Sequence, residues 1–226
     1  MKKDKLIIFD LDGTLYQFQG GSFKNSGLEK MVLKNALKYI QDRLQKTLPE
    51  AQKILQKIRD EYGEDISIAL EERYNCSRKD YFDSVWNIEA KGVIRESGLV
   101  RDIIKKLNKK YALLLVSDGA EVWINNALRE LGIEKYFKGR ILAGDGDKRK
   151  SLGNRFSMIP KGYGFKPGDI VVIGDQEKTD IIPAKEQGLK TIFVSQRKSV
   201  YSNITIKTIN EVEQAIEEVF TTTCVQ

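Results

Sequence analysis

The sequence predicts an α/β fold: a parallel sheet with helices on both faces, plus a small all-helical domain inserted after the first strand. Three observations carry this prediction. Five short apolar runs recur along the 226-residue chain, helical stripes separate the later ones, and the stretch 16–95 carries helical stripes alone. Alternating strand and helix is the pattern of a parallel sheet covered on both sides.

The first run, 6–9, is bounded by charge in front and by Asp10 behind. Runs that short and that apolar suit strands buried on both faces. Four more follow at 112–116, 141–143, 170–173 and 191–194. Val100, Ile103, Ile104 and Leu107 recur at helical spacing before the second run. Val122, Ile124, Leu128 and Leu131 follow it, with Gly132 placed to end that helix. A further helix over 181–187 precedes Gly188 and the fifth run.

Between Leu15 and about Arg95 no strand is expected. Met31, Val32, Leu37, Ile40 and Leu44 form one stripe, and Ala51, Ile54, Leu55 and Ile58 another. Pro49 sits where a first helical turn accepts it, and Gly63 ends the pattern. Ser77 with Asp80 resembles a capping box before Tyr81, Phe82, Val85 and Trp86. A structureless loop of that length is implausible, so 16–95 reads as a helical domain, with 1–15 and 96–226 forming the core. Tyr16, Phe18 and Phe23 are expected at the hinge or in the core, with stacking on a substrate base as the alternative. The tail from Thr221 to Gln226 is expected to fray.

Composition limits the functional classes. The chain is 41% hydrophobic and 31% charged, with a formal net charge of +6 and a pI near 9.1, which is ordinary for a soluble protein. Basic residues alternate with acids, as in Arg101, Asp102, Lys105 and Lys106, so nucleic acid is not the expected partner. The two cysteines, Cys76 and Cys224, have no metal-ligand or redox spacing, as expected of reduced thiols in a cytoplasmic protein. No apolar run near the N-terminus is long enough for a leader or a membrane span. There is no histidine, which excludes Ser-His-Asp triads, His-ligated zinc and phosphohistidine chemistry.

In a parallel sheet, functional groups collect at the carboxyl ends of the strands. The first run ends in Asp10, Leu11, Asp12, Gly13, Thr14. The second ends in Ser117 and Asp118, the third leads to Lys148, Arg149 and Lys150, and the fourth ends in Gly174 and Asp175, with Asp180 just beyond. Clustered carboxylates repel one another unless a hard cation neutralises them, and oxygen ligands suit Mg2+. A carboxylate beside the metal can attack phosphorus, and a second one two residues on can move protons. Serine and lysine can hold phosphoryl oxygens as charge develops. Gly13 allows a sharp turn after the strand. Asp180 could instead cap the helix that follows it, and Ser117 could be a helix cap.

The string FDLDGTLY, the hydroxyl closing the second strand, the later lysine and GDQEKTD resemble, in order, the four motifs of the haloacid dehalogenase superfamily. Phe156 lies six residues after Lys150, as in the family's KPxPxxF pattern, although Ser151 replaces the proline. IVVIGD and DIIPAKEQGLKTIFV resemble the family's entry to and exit from its fourth motif. The resemblance implies a Rossmann-like three-layer core with a helical cap, and Mg2+-dependent hydrolysis of small phosphate esters through a phosphoaspartate. It implies that Asp10 is the nucleophile and a metal ligand. Asp12 would be the acid/base, binding the metal through its backbone carbonyl. Ser117 and Lys150 would hold the phosphoryl group, with Asp175 and Asp180 at the metal. Lys148 and Lys161 compete with Lys150. Asp118 departs from the asparagine of related phosphatases; it is grouped with the phosphate-binding residues, although facing a backbone amide or solvent suits its charge better. FDLDGTLY followed by LPEAQKILQKIRDEYG resembles the pyrimidine 5'-nucleotidase-like members. Asp12 argues against a dehalogenase, which needs no acid. A phosphonate hydrolase would need a Schiff-base lysine that the sequence does not place. A phosphomutase, a polynucleotide-end phosphatase and a non-catalytic regulatory protein remain alternatives. The expected partner is a small-molecule phosphate ester, with no membrane, and the chain is expected to be a monomer or homodimer.

Overall fold

A computed structural model of the chain describes residues 3–63, 65–95, 99–145, 150 and 155–221. Its centre is a six-stranded parallel sheet. The strands are β1 (Leu6–Phe9), β4 (Ala112–Val116), β5 (Ile141–Leu142), β6 (Ile170–Gly174), β7 (Lys190–Val194) and β8 (Ile204–Ile206), in the spatial order β5-β4-β1-β6-β7-β8. β1 lies between β4 and β6, pairing Leu6 with Ala112 and Ile170, and Phe9 with Leu115 and Ile173. The chain order along the sheet reverses beside β1, so the ends of β1, β4 and β6 open onto one crevice.

Both faces of the sheet are covered, which explains the unbroken apolar runs. Ile7, Phe9, Leu115 and Ile173 face one layer, which contains α5 (Val100–Lys110), α6 (Glu121–Glu130) and α10 (Val212–Thr221). Leu6, Ile8, Leu114 and Val172 face the other, where α8 (Arg155–Tyr163) supplies Phe156 and Ile159 and α9 (Ile182–Glu186) supplies Ala184. Phe156 is thus a core residue. The buried stripe of α6 is Trp123, Ile124, Ala127 and Leu128; Val122 from the expected stripe is only half-buried. The short α7 (Glu134–Phe137) buries Phe137 against Phe9, ring edge to face.

Two strands appear where none was expected. β2 (Gln17–Phe18) pairs antiparallel with β3 (Ile94–Arg95), where the chain leaves the sheet for the helices and returns. Strands of two residues carry no readable alternation. β8, also unanticipated, is the edge strand beyond β7. Between β2 and β3 lie α1 (Leu28–Leu44), α2 (Leu48–Tyr62), α3 (Ile66–Tyr74) and α4 (Arg78–Val85). α2 starts at a capping box in which the Thr47 N–H donates to the Glu50 carboxylate at 2.8 Å. Pro49 sits in its first turn, and Gly63 ends it at φ +60°. Ser77 accepts from the Asp80 N–H at 3.3 Å, one half of the expected capping box; the Asp80 carboxylate turns instead to Tyr39 and Arg43. Tyr81, Phe82 and Val85 are buried in this helical layer, and Trp86 stacks on Phe23. Among the described residues, no helix is long and apolar enough to cross a membrane.

Candidate active site

Asp10 follows β1 directly, and its N–H donates to the Ile173 carbonyl at 2.9 Å, so the sheet ladder itself aims this residue. Its carboxylate is buried and divided between two donors. Lys150 Nζ reaches Oδ1 at 2.6 Å, and Thr14 Oγ1 reaches Oδ2 at 2.9 Å. The chain can double back from Asp10 to Thr14 because Gly13 adopts φ +83°, and a Cβ there would overlap the Asp175 carboxylate. The motif glycine is therefore needed twice, for the turn and for the close approach.

Lys150 is 3% exposed and also donates to Asp180 Oδ1 at 2.7 Å. Burial alone would lower its proton affinity, but the flanking carboxylates of Asp10 and Asp180 outweigh it and hold the ammonium charged. Lys161 is exposed on α8, and Lys148 and Arg149 lie outside the described residues. Lys150 is thus the described lysine inside the carboxylate cluster.

Asp180 is fully buried and does not cap α9, whose N-cap position is Ile181. It lies in a π-type turn, Glu177–Ile181, and its Oδ2 accepts from the Gln176 N–H at 3.1 Å. Gly174 is small for a reason: a Cβ there would overlap the Asp180 carboxylate. Oxygens of Asp10, Asp175 and Asp180 lie within 4.8 Å of one another. One of them, Asp175 Oδ1, is buried with no hydrogen-bond partner. An orphaned, buried carboxylate oxygen beside two further carboxylates fits a hard divalent cation. Without such an ion, burial first, then the charges of Asp10 and Asp180, push the Asp175 pKa up to about 8. Burial and Asp10 likewise raise that of Asp180.

Asp12, two residues from Asp10, meets a different environment. Its Oδ1 accepts from the Tyr16 hydroxyl and from Trp123 Nε1, the latter at 3.1 Å, and Ser117 Oγ stands 3.5 Å from Oδ2. Burial and then the charge of Asp10 raise its pKa, while its hydrogen-bond donors and Lys150 pull the other way. Trp123 escaped the sequence reading because it fell between the residues chosen for the α6 stripe. Tyr16 was noticed, but as a packing residue; it is buried, and its hydroxyl holds Asp12. Phe18 and Phe23 pack edge-on in a row from Tyr16.

Ser117 Oγ accepts from the Gly119 N–H at 3.0 Å, so it caps a turn after β4 while facing Asp12. Asp118 faces a backbone amide: its Oδ1 accepts from the Lys150 N–H at 2.6 Å. The placement of Asp118 against the Lys150 main chain explains how an extra carboxylate is tolerated here, and it is the backbone-amide contact that suits its charge.

A family model described as haloacid dehalogenase-like hydrolase matches residues 5–188. A glyceraldehyde 3-phosphate phosphatase of Pyrococcus furiosus is 25% identical, over 96% of this chain and 93% of its own. A phosphoserine phosphatase of Methanocaldococcus jannaschii is 24% identical, over 86% of this chain and 88% of its own. The crystal structure of a HAD phosphatase from Thermococcus onnurineus superposes with a TM-score of 0.63 at 17% identity, covering 94% of this chain and 97% of the other. The motifs, the sheet order and a family match that runs from β1 through the helical insertion to β6 and α9 agree, and the chain belongs to the haloacid dehalogenase-like hydrolases.

Proposed function

We propose that this hydrolase cleaves small phosphomonoesters through a phosphoaspartate on Asp10. The observation that carries the proposal is the contrast between two carboxylates only two residues apart. Asp10 is held by a lysine and faces the acidic cluster, as a nucleophile beside a cation must. Asp12 is held by neutral donors and keeps its proton more tightly than an ordinary carboxyl, as an acid for the leaving oxygen must.

Asp10, Asp175 and Asp180, with the Asp12 carbonyl, would hold Mg2+, which supplies charge neutralisation for the incoming phosphate. Asp10 attacks phosphorus while Asp12 delivers a proton to the departing oxygen. Asp12 then takes a proton from the water that releases phosphate from Asp10. Ser117 and the Lys150 ammonium bind phosphoryl oxygens, and Asp118 fixes the main chain that carries Lys150. Residues 16–95 act as the cap, hinged at the β2–β3 pair, which excludes water during the first step. The similar proteins named phosphatases for glyceraldehyde 3-phosphate and phosphoserine support a small phosphorylated metabolite as substrate.

The test is phosphate release from a panel of phosphomonoesters, with and without Mg2+, by the wild type and by Asp10→Asn. Mg2+-dependent release that disappears in the variant is expected. Equal release by both proteins would overturn the proposal.

A further inference from the structure

A cavity of about 520 Å³ opens beside the acidic cluster, between the β2–β3 hinge and the loops that follow β7 and β8. One wall is Tyr16, the residue that holds Asp12, and another is Asp175. The cavity is thus bounded by a residue that bonds Asp12 and by one carboxylate of the acidic cluster. Two exposed cations line it, Arg95 at the end of β3 and Lys207 just after β8. Neither side chain has an ion-pair or hydrogen-bond partner among the described residues. The acid nearest in sequence to Lys207 is already engaged: the Glu211 carboxylate accepts the N–H groups of Lys207 and Thr208 at 3.1 and 3.0 Å. Among the described residues Asp175 is the one carboxylate lining the cavity, and it belongs to the cluster already described. The amides of Gln196 and Asn210 complete a polar rim.

An arginine and a lysine with no partner among the described residues, lining one cavity beside the acidic cluster, make a site for an anion. We propose that this cavity receives the leaving group of the substrate, and that Arg95 and Lys207 recognise a second anionic group on it, a carboxylate or a second phosphate. The inference rests on the phosphomonoester reading above and narrows it to phosphate esters that carry a distal anion. Arg95 belongs to the hinge ribbon and Lys207 to the sheet, so such a group would tie the hinge to the core. An ester with a neutral leaving group would leave both cations unpaired and would make no such link.

The test compares esters that differ only in the distal group. One arm sets phosphoglycerate against glycerol phosphate, for a carboxylate. The other sets a sugar bisphosphate against the corresponding monophosphate, for a phosphate. In at least one arm the wild type should favour the anionic ester by about 10- to 100-fold in kcat/KM, the range expected of charge-assisted hydrogen bonds. Arg95→Gln and Lys207→Met, on different elements, should each bring that ratio toward one, chiefly through KM, and Arg95→Lys should recover part of it. A wild type that hydrolyses phosphate esters without preferring the anionic member of either pair would overturn this inference and leave the phosphatase reading intact. So would a preference that survives both substitutions. A wild type that releases no phosphate from any of these esters would overturn both.

Discussion

Asp10 and Asp12 are the same residue type, two positions apart, and the fold treats them oppositely. The Asp10 side of the crevice is ionic: one buried lysine bridges two of three clustered carboxylates, and the third keeps an orphaned oxygen. The Asp12 side is neutral: a phenol, an indole and a hydroxyl surround a single carboxylate. Division of labour follows from these partners. On the proposed reading the carboxylate held by the lysine is the nucleophile, while the one held by neutral donors in a desolvated site trades protons.

Removing the cation from the ionic side should have the largest effect. Lys150→Met leaves Asp10 and Asp180 buried without their positive partner, which costs on the order of 3–5 kcal/mol for a broken buried pair. Phosphatase activity should fall by about 10³-fold or more, and thermal denaturation should show partial rescue by Mg2+. The same substitution leaves the hydrogen-bond donors of Asp12 in place.

Next in size is the cation's own seat. The folded chain holds the Asp175 proton with a pKa raised from 3.8 to about 8. Because the folded state binds this proton more tightly than the unfolded state, its contribution to stability is complete below pH 3.8 and is lost as pH rises toward about 8. The melting temperature of metal-free protein should therefore decline across that window. Mg2+ should raise it more near pH 8 than near pH 5, because the ion takes over as the proton leaves. Asp175→Asn should flatten this dependence and weaken Mg2+ binding, measured calorimetrically, by about 10-fold or more.

On the neutral side the effects should be smaller and differently shaped. Tyr16→Phe and Trp123→Phe each delete one donor to Asp12. Each should lower kcat by about 5- to 10-fold, the upper part of the range for one ordinary hydrogen bond. With a donor gone, the Asp12 pKa should climb further, so the limb of the pH–rate profile governed by Asp12 should move to higher pH. Mg2+ affinity should be the same as in the wild type. The smallest effect is expected from Asp118→Ala, which frees the Lys150 N–H without touching its ammonium. A rise in KM of about 3- to 10-fold should result, and a larger effect on kcat would mean that Asp118 meets the substrate itself.

The ionic side was readable in the sequence, and the neutral side was not. Asp10 and Asp175 stand out by charge at strand ends, with Asp180 just beyond, and parallel topology brings those ends together, while Lys150 had Lys148 and Lys161 as rivals until the fold put it beside Asp10. The long apolar runs were equally legible, because burial on both faces leaves no other composition open to them. Trp123 reaches Asp12 from a helix more than a hundred residues away, and an aromatic within an apolar stripe looks like core whether or not its N–H has a partner. The β2–β3 pair and β8 were missed because two or three residues cannot display a period. The Asp118 contact with the Lys150 main chain depends on a loop path that no local pattern records.

The most direct measurement is the mass of peptides from protein quenched in acid during turnover of a good phosphomonoester with Mg2+. A phosphoryl adduct on the peptide containing Asp10, absent when Asp10→Asn is treated in the same way, is the predicted result. Turnover with no adduct on that peptide, or with the adduct on Asp12, would contradict the assignment of Asp10 as nucleophile and the division of labour between the two carboxylates.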